Sequence, residues 1–404
     1  MSTVTSILPY LPVAASRPVA APVAGRFTLD GDGALEARLD RLGELVRHGV
    51  GRVVPAHRRE GILLGGGYGR GEGGVLRTAG GDRPYNDLEF YVFLRGSTVL
   101  NEWRYRASLT HLAHQLSREA GIEVEFKIVS AAGLRRSPVT MFSYDLVQGH
   151  RRVAGDDGLL RGCEHHLRGE DIPLAEATRL LFNRCSGLLF ARARLKHEGF
   201  TADDSDFVER NLAKARLALG DVVLCATGQY HWSCRERQHR LADLRAPDGI
   251  PGFAAIRAEH AAGVAFKLHP RRLNRPAAEL REDFRAVTQL ACRLWLWLES
   301  RRLGVAFRTP GGYALHPPTK CPGTPPLRNW LVTGRHLGLR EMVSLRAFRY
   351  PRERLLRALP VLLWQPVLLD NSRVRRRLQH DLRTTAADEA GLTAAYTRLW
   401  EVFR

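Results

Sequence analysis

The chain has few cysteines for its length. Six occur among 404 residues, and none of them forms a Cys-x-x-Cys pair. Cysteines this sparse argue against a disulfide framework and indicate no structural zinc site. The pattern is typical of a reducing compartment, so we expect a cytoplasmic protein.

Long apolar runs are also missing. No stretch of about eighteen consecutive apolar residues occurs, which argues against a transmembrane helix and a membrane partner. The first residues are rich in Ala, Val and Pro, but they lack the basic start of a signal peptide, and Pro9, Pro12, Pro18 and Pro22 interrupt the apolar stretch. We therefore expect a disordered leader over residues 1–25.

Lysine is scarce although the chain is strongly basic. The formal net charge is +19, yet lysine accounts for only a few of the 61 basic residues. A basic chain attracts polyanions, so RNA is a candidate partner. A GC-rich coding sequence also favours arginine, so the charge supports binding of phosphates in general and not of RNA in particular.

Helix and strand signals alternate in the first third of the chain. Apolar residues at helical spacing from Leu35 to Val50 predict an amphipathic helix that ends before Pro55. Further predicted elements are strands at 62–64 and 88–94, a helix at 102–120 capped by Asn101 and closed by Gly121, and an alternating strand at 122–129. These elements indicate a small domain over residues 26–160.

The pattern becomes helical from about residue 174. Predicted helical segments are 174–198, 204–227, 276–303, 326–338, 351–365 and 372–403. Segments 232–275 and 305–325 carry Pro, Gly, Arg and His, and are predicted to be loops. We expect an α+β fold, with a small mixed-sheet core followed by a mainly α-helical region over 170–404 that subdivides near 235–275.

The most informative stretch is a glycine-rich turn after the first strand. Residues 65–73 read Gly-Gly-Gly-Tyr-Gly-Arg-Gly-Glu-Gly. A strand that enters such a turn and then a helix brings backbone N–H groups close to a phosphate, and glycine leaves room for that approach. The turn therefore indicates a phosphate-binding function.

Two carboxylates follow on the next strand. Asp87 and Glu89 are two positions apart, so the strand places both on one face. Neighbouring carboxylates repel one another unless a cation is present, and a pair of Mg²⁺ ions about 3.5–4 Å apart needs such a clamp. A third carboxylate is available on the alternating strand, as either Glu123 or Glu125.

This order of motifs resembles the DNA polymerase β superfamily of nucleotidyltransferases. The resemblance covers about residues 60–130: a strand, Gly-Gly, Arg-Gly-Glu, Asn-Asp-x-Glu on a strand, and a later strand with an acidic residue. It implies that Gly66, Gly67 and Arg70 hold the β- and γ-phosphates of an NTP, with ATP expected.

The same resemblance implies roles for the carboxylates. Asp87 and Glu89 match the first two ligands of two Mg²⁺ ions. Glu125 looks like the third carboxylate, which orients or deprotonates the acceptor hydroxyl. Glu123 stays the alternative, since it lies on the same strand face as Glu125.

Three features depart from the family pattern. Gly67 lacks the serine hydroxyl that many members offer to a phosphate, and Glu89 is longer than the usual Asp. The spacing from Gly67 to Asp87 is also long, which we interpret as a hairpin or loop inserted at Thr78 to Pro84.

A later segment, from Tyr144 to Asp156, resembles bacterial members with a helical second domain. These include the aminoglycoside-modifying group to which kanamycin nucleotidyltransferase belongs, where a short strand pair ends in Gly-Asp. The resemblance implies that the helical partner closes over the nucleotide and builds the acceptor pocket.

Three other charged residues have alternative interpretations. Lys127 could reach a phosphate, but an exposed strand lysine is the more common case. Lys214 and Asp221 lie seven apart on one helix face and could contact nucleotide or acceptor, although a solvated helix face is the commoner explanation.

The expected reaction is transfer of a nucleoside monophosphate from an NTP to a hydroxyl acceptor, with release of pyrophosphate. The acceptor, a small molecule or a protein side chain, is not identified by the sequence, and base preference and oligomeric state stay open. The alternatives are an RNA-terminal nucleotidyltransferase and an inactive nucleotide-binding or antitoxin-like module.

Overall fold

The computed structural model describes residues 25–403. The expected leader, apart from Gly25, lies outside this range. The fold is a small mixed sheet followed by many helices, which confirms the predicted α+β class. No helix in the described range is both long and apolar enough to cross a membrane.

Strands and helices follow one another along the chain in a simple order. The strands are β1 (Arg59–Leu64), β2 (Val75–Thr78), β3 (Gly81–Pro84), β4 (Leu88–Leu94), β5 (Val124–Val129) and β6 (Arg151–Gly155). The helices of the sheet region are α1 (Gly33–Val53), α2 (Gly66–Gly69), α3 (Thr98–Ala120), α4 (Ala131–Arg136) and α5 (Met141–Gln148). The later helices are α6 (Leu174–Leu195), α7 (Ala202–Ala226), α8 (Cys234–Asp243), α9 (Phe253–Leu268), α10 (Ala277–Leu303), α11 (Pro310–Leu315), α12 (Pro326–Leu337), α13 (Glu353–Trp364), α14 (Ser372–Leu382) and α15 (Glu389–Val402).

The main sheet has four strands in the order β5-β4-β1-β6. Strands β4 and β5 are parallel and are joined by α3, whereas β1 pairs antiparallel with β4 and with β6. The insertion expected at Thr78 to Pro84 is part of the separate β2–β3 hairpin. The central position of β4 brings it between the glycine turn that follows β1 and the acidic strand β5.

Strand β4 is buried on both faces along most of its length. Leu88, Phe90 and Val92 belong to an apolar cluster that also contains residues of α1 and α3. Tyr91 and Phe93 point to the opposite face, into a second cluster with residues of α4 and α5. Because side chains alternate along a strand, Glu89 lies on the same face as Tyr91.

The helical region has a large apolar core of its own. It gathers residues from α6, α7, α9, α10 and α13–α15, and Trp295 is fully buried in it. Its members are distinct from those of the two sheet clusters.

Both segments predicted as loops contain helices. Residues 232–275 form α8 and α9, and 305–325 contain α11. The prediction failed for α9 because many of its residues are Ala, whose short side chains give little amphipathic signal. The close contact with α7 depends on a glycine: a Cβ on Gly263 would lie 2.4 Å from the backbone N of Leu217 in α7. Since Leu241 and Ile256 share the main helical core, 232–275 is not a linker between two cores.

Three local predictions were also wrong. Asn101 is not the cap of α3, which begins at Thr98 after Ser97; it is buried inside the helix and donates to the Arg95 carbonyl at 3.1 Å. The last predicted helix, 372–403, divides after α14, where Arg383 adopts φ 56°. Tyr144 lies in helix α5, so a single strand, β6, precedes Asp156 in place of a strand pair.

Candidate functional site

The three carboxylates proposed as metal ligands lie together. Strands β4 and β5 run parallel with Glu89 directly beside Glu125, and Asp87 immediately precedes β4. One carboxylate oxygen from each of the three lies within 4.8 Å of the others. The parallel register is what turns two distant stretches of sequence into one acidic cluster.

Glu123 occupies a different place. It precedes β5, its side chain is exposed, and its carbonyl accepts a hydrogen bond from the Leu88 N–H at 2.8 Å. It lies outside the cluster formed by Asp87, Glu89 and Glu125. Of the two candidates for the third carboxylate, the structure brings Glu125 to the other two.

Lys127 lies at the carboxylate cluster and pairs with two of its members. Its ammonium group contacts Glu89 and lies 3.4 Å from the Glu125 carboxylate and 5.5 Å from the centre of the Tyr91 ring. Burial opposes the charged ammonium, but Glu89 and Glu125 together keep the pKa of Lys127 above its ordinary value. The cluster therefore already attracts a cation supplied by the chain itself.

The electrostatics of Asp87 point the same way. The Asp87 side chain is exposed. Partial desolvation is the largest cause that raises the pKa of Asp87, and repulsion from Glu89 and Glu125 adds to it. The charge of Lys214, on the exposed face of α7, acts in the opposite direction. Lys214 therefore lies on the solvated helix face on which it was expected, and from there its charge also acts on Asp87.

The glycine turn lies against the same carboxylates. The Gly65 N–H donates to the Glu89 carbonyl at 2.9 Å, which ties the turn to β4. Gly66 adopts φ +63°, and a Cβ there would lie 3.4 Å from a Glu89 carboxylate oxygen. A Cβ on Gly67 would come within 2.9 Å of the Glu72 carbonyl. Backbone and carboxylate thus approach each other with no side chain between them.

Arg70 is buried rather than displayed at the turn. Its side chain is 8% exposed and its Nη1 lies 3.2 Å from the Asp145 carboxylate. The aliphatic part packs against Gly149, where a Cβ would be 2.6 Å from Arg70 Cγ. The predicted contact of Arg70 with phosphates stays a prediction.

The ion pair between Arg70 and Asp145 belongs to a buried network of polar groups that the sequence did not predict. The Tyr230 hydroxyl donates to Asp145 at 3.2 Å, and Arg237 donates to the Tyr230 hydroxyl at 2.9 Å. Arg237 Nε also lies 2.8 Å from Asp221, so Asp221 is buried and not on a solvated face. The available signal was the apolar sequence around Asp221, Leu-Gly-Asp-Val-Val-Leu, which is atypical of an exposed helix face.

Glu72 makes a second connection between the glycine turn and the helices. Its carboxylate accepts hydrogen bonds from the Ser233 hydroxyl and from the Cys234 N–H, the latter at 2.9 Å, at the start of α8. Burial disfavours its charge, but Lys267 and these hydrogen bonds lower the pKa of Glu72 below its ordinary value. The segment from Arg70 to Glu72 therefore docks the turn on the helical region.

A basic groove lies where α1, the β2–β3 hairpin, the end of α3 and the segment after α9 meet. Its volume is about 1120 Å³, and it reaches Tyr85 and Ile122, close in sequence to Asp87 and Glu125. The basic side chains that line it are Arg38, Arg77, Arg83, His269, Arg271 and Arg272.

Comparisons with known proteins give no family for this chain. A scan against protein-family models found no match, and a search of curated proteins found none either. Inference about function therefore depends on the geometry of the carboxylates and the glycine turn.

Proposed function

We propose that the protein is a metal-dependent nucleotidyltransferase of the polymerase β type, which transfers a nucleoside monophosphate from an NTP to a hydroxyl acceptor. One observation carries the proposal. One carboxylate oxygen from each of Asp87, Glu89 and Glu125 lies within 4.8 Å of the others, beside a glycine turn whose Gly65 N–H donates to the Glu89 carbonyl at 2.9 Å. A binding-only protein has no evident need for three clustered carboxylates.

The residues present suit divalent magnesium. Carboxylate oxygens are the ligands that Mg²⁺ prefers, and the contact of Lys127 with Glu89 and Glu125 marks a place where positive charge is stabilised. Two Mg²⁺ ions held by Asp87, Glu89 and Glu125 would stabilise the attacking and leaving oxygens of an in-line displacement.

The chain's own groups have distinct tasks in this proposal. The first N–H groups of α2, at Gly66 and Gly67, have no carbonyl partner within the helix and face the phosphates of the NTP. Glu125 orients the acceptor hydroxyl and takes up its proton as that oxygen attacks the α-phosphorus. Lys127 and Lys214 contribute positive charge near the nucleotide's phosphates, and pyrophosphate leaves.

The direct test is transfer of label from each α-³²P-labelled NTP, starting with ATP, in the presence of Mg²⁺ and a cell extract. The wild-type chain should label an acceptor, and Asp87→Asn and Glu89→Gln should abolish labelling while the proteins stay folded. Glu123→Gln is the matched control, since it removes an equal charge outside the cluster, and it should retain labelling. A folded Asp87→Asn variant with near wild-type transfer would contradict the assignment.

The same experiment separates the proposal from an inactive nucleotide-binding module. Such a module would show stabilisation by Mg²⁺ and NTP without labelling of any acceptor. A cytoplasmic location is part of the proposal, and the six unpaired cysteines agree with it.

An RNA end is the second candidate acceptor, and the basic groove favours it. Arg83 and Arg271 line the groove, whereas Arg77 is already paired with Asp30 and Asp82. Positive side chains along a groove suit a phosphate backbone.

RNA binding has a measurable signature. The affinity for a single-stranded RNA should fall steeply with salt, and a combined Arg83→Ala and Arg271→Ala variant should bind more weakly with a shallower salt slope. Arg335→Ala, an exposed arginine of α12, is the control. Equal loss in the control and the groove variant would exclude a dedicated RNA groove.

A further inference from the structure

A second concentration of positive charge lies in the helical region. A pocket of about 590 Å³ is bounded by α13, α14 and the segment before α13, none of which carries the carboxylates of the sheet. Its basic lining includes Arg349, Arg354, Arg357, Arg373, Arg376 and Arg377, and its acidic lining includes Glu353 and Asp381.

Arg354 is the most informative member of this lining. Its side chain is nine-tenths buried, and its Nη2 donates to Glu341 at 2.5 Å. Its Nη1 is also buried but has no hydrogen-bond partner among residues 25–403. A buried charged donor without an acceptor is costly, so Arg354 needs an acceptor that the described chain does not provide.

The acidic residues of the pocket are already engaged. Glu353 accepts two hydrogen bonds from Arg357, at 3.0 and 2.7 Å, and one from Thr319 at 2.6 Å. Asp381 lies 3.6 Å from both Arg346 and His380. These carboxylates leave most of the pocket's positive charge uncompensated.

The remaining arginines have only weak acceptors. Arg376 and Arg377 donate to backbone carbonyls, at 3.3 and 3.2 Å. Burial, and then repulsion from Arg357 with smaller contributions from Arg346 and Arg349, lowers the pKa of Arg377, while Asp381 opposes the shift. The cluster therefore contains more guanidinium groups than the carboxylates Glu341, Glu353 and Asp381 can pair.

We propose that this pocket binds a small polyphosphate, of the class of a nucleoside oligophosphate, through a terminal phosphate placed against Arg354. Guanidinium groups bind phosphate oxygens with paired hydrogen bonds, and the volume lies in the range of small-molecule sites. Arg354 lines the pocket although about nine-tenths of its side chain is buried, so a compact terminal phosphate suits this position better than a continuous nucleic-acid backbone lying across the opening. The proposal does not depend on the nucleotidyl transfer proposed for the sheet.

The test uses the full-length protein in EDTA, so that divalent cations do not recruit phosphates to the carboxylates. Inorganic tripolyphosphate should raise the Tm and bind in isothermal titration calorimetry. Combined Arg373→Ala and Arg376→Ala, at two exposed positions whose loss should spare the fold, is expected to weaken binding at least tenfold. Arg354→Gln should weaken it as well.

A control variant locates the effect. Arg335→Ala removes an exposed arginine of α12 outside the pocket lining, so it should bind tripolyphosphate like the wild type. Unchanged binding in the Arg373/Arg376 double variant, or equal loss in Arg335→Ala, would overturn the proposal. So would an RNA oligonucleotide without terminal phosphates that competes with tripolyphosphate at equal concentration of phosphate groups.

Discussion

Two glutamates at neighbouring positions of one face have different surroundings. Glu125 lies beside Glu89 in the parallel register, whereas Glu123 precedes the strand and is exposed. The proposed site therefore needs only one of them. The distinction can be tested with two single variants, because replacing either glutamate by glutamine removes the same charge.

We expect Glu125→Gln to lower kcat by on the order of 10²- to 10⁴-fold, because Glu125 acts on the acceptor hydroxyl. Binding of NTP should change little, since that role concerns the transition state more than the bound nucleotide. Glu123→Gln should keep near wild-type kinetics. Steady-state kinetics with Mg²⁺ and the preferred NTP compare the two; a crippled Glu123→Gln variant would show that the active carboxylate is misassigned.

Lys320 illustrates how burial alone changes a residue's chemistry. The side chain is fully buried; its ammonium donates to the His316 carbonyl at 3.1 Å and lies 4.6 Å from the centre of the Tyr313 ring. Burial, with repulsion from Arg357, lowers the pKa of Lys320 to about 7. In the unfolded chain the same group titrates near pH ~10.4.

The sign of the pH effect follows from this difference. Between about pH 7 and about pH 10 the unfolded chain holds a proton on Lys320 that the folded chain lacks, so the free energy of unfolding should rise with pH. This contribution is lost as pH falls through 7. Lys320→Met should flatten the rise, whereas Lys196→Met, at an exposed position, should preserve it. Urea unfolding at pH 7, 8 and 9 measures both; parallel curves for wild type and Lys320→Met would contradict the expectation.

At the scale of single elements, α8 depends on a residue outside it. Glu72, from the loop after the glycine turn, accepts hydrogen bonds at the first turn of α8, where the helix dipole also favours a negative charge. Glu72→Gln should therefore reduce the free energy of unfolding by about 1.5–3 kcal/mol.

The matched control is Glu170→Gln, an exposed glutamate paired with Arg168, which should cost no more than about 0.5 kcal/mol. Denaturant unfolding of the three proteins gives the comparison. An equally small effect of Glu72→Gln would mean that the contact between turn and helix does not contribute to stability.

Helices and strands whose apolar residues recur at a regular spacing were predictable from the sequence. Elements defined by tertiary packing were not. Strand β4 and helix α1 follow from their apolar spacing, and Gly121 ends α3 in the left-handed conformation as expected. Helix α9 escaped prediction because alanines occupy much of its exposed face, where charged residues would have given a clear amphipathic pattern. Asn101 was mistaken for a cap because a buried asparagine that bonds the Arg95 carbonyl has the same sequence signature.

The candidate site shows the same division. The sequence alone indicated the acidic residues, because two carboxylates two residues apart on one strand lie on the same face, and this can be read from a short stretch of sequence. It did not place Arg70 against Asp145, or Tyr230 against Arg237, because those contacts arise only when the helices dock on the turn. Long-range charge pairing therefore accounts for most of what the sequence left undetermined.

On the scale of the whole molecule, the sheet and helical regions meet through buried charge and through Tyr144 of α5, which packs in the apolar core of the helices. Asp145 lies between Arg70 of the turn and Tyr230 of the helical region. Asp145→Ala should leave the buried guanidinium group of Arg70 without its anion and cost about 3–5 kcal/mol. With this link weakened, we expect the sheet and the helices to unfold in two steps instead of one.

Hydrogen–deuterium exchange of β4 amides and of α10 amides reports on the two regions separately. Their unfolding midpoints should coincide in the wild type and diverge in Asp145→Ala. Asp157→Ala, a 93% exposed carboxylate, is the control and should leave them coincident. Coincident midpoints in Asp145→Ala would show that other contacts suffice to couple the regions.

The position of the lysines also makes the molecule convenient for chemical footprinting. Lys320 is fully buried and Lys267 is partly buried, while Lys127, Lys196 and Lys214 are the more accessible of the five. Two of these three lie at the carboxylate cluster. An amine-directed acylating reagent would therefore report mainly on the solvent accessibility of the surface around the carboxylate cluster. Lys196, which lies elsewhere, would be the internal reference.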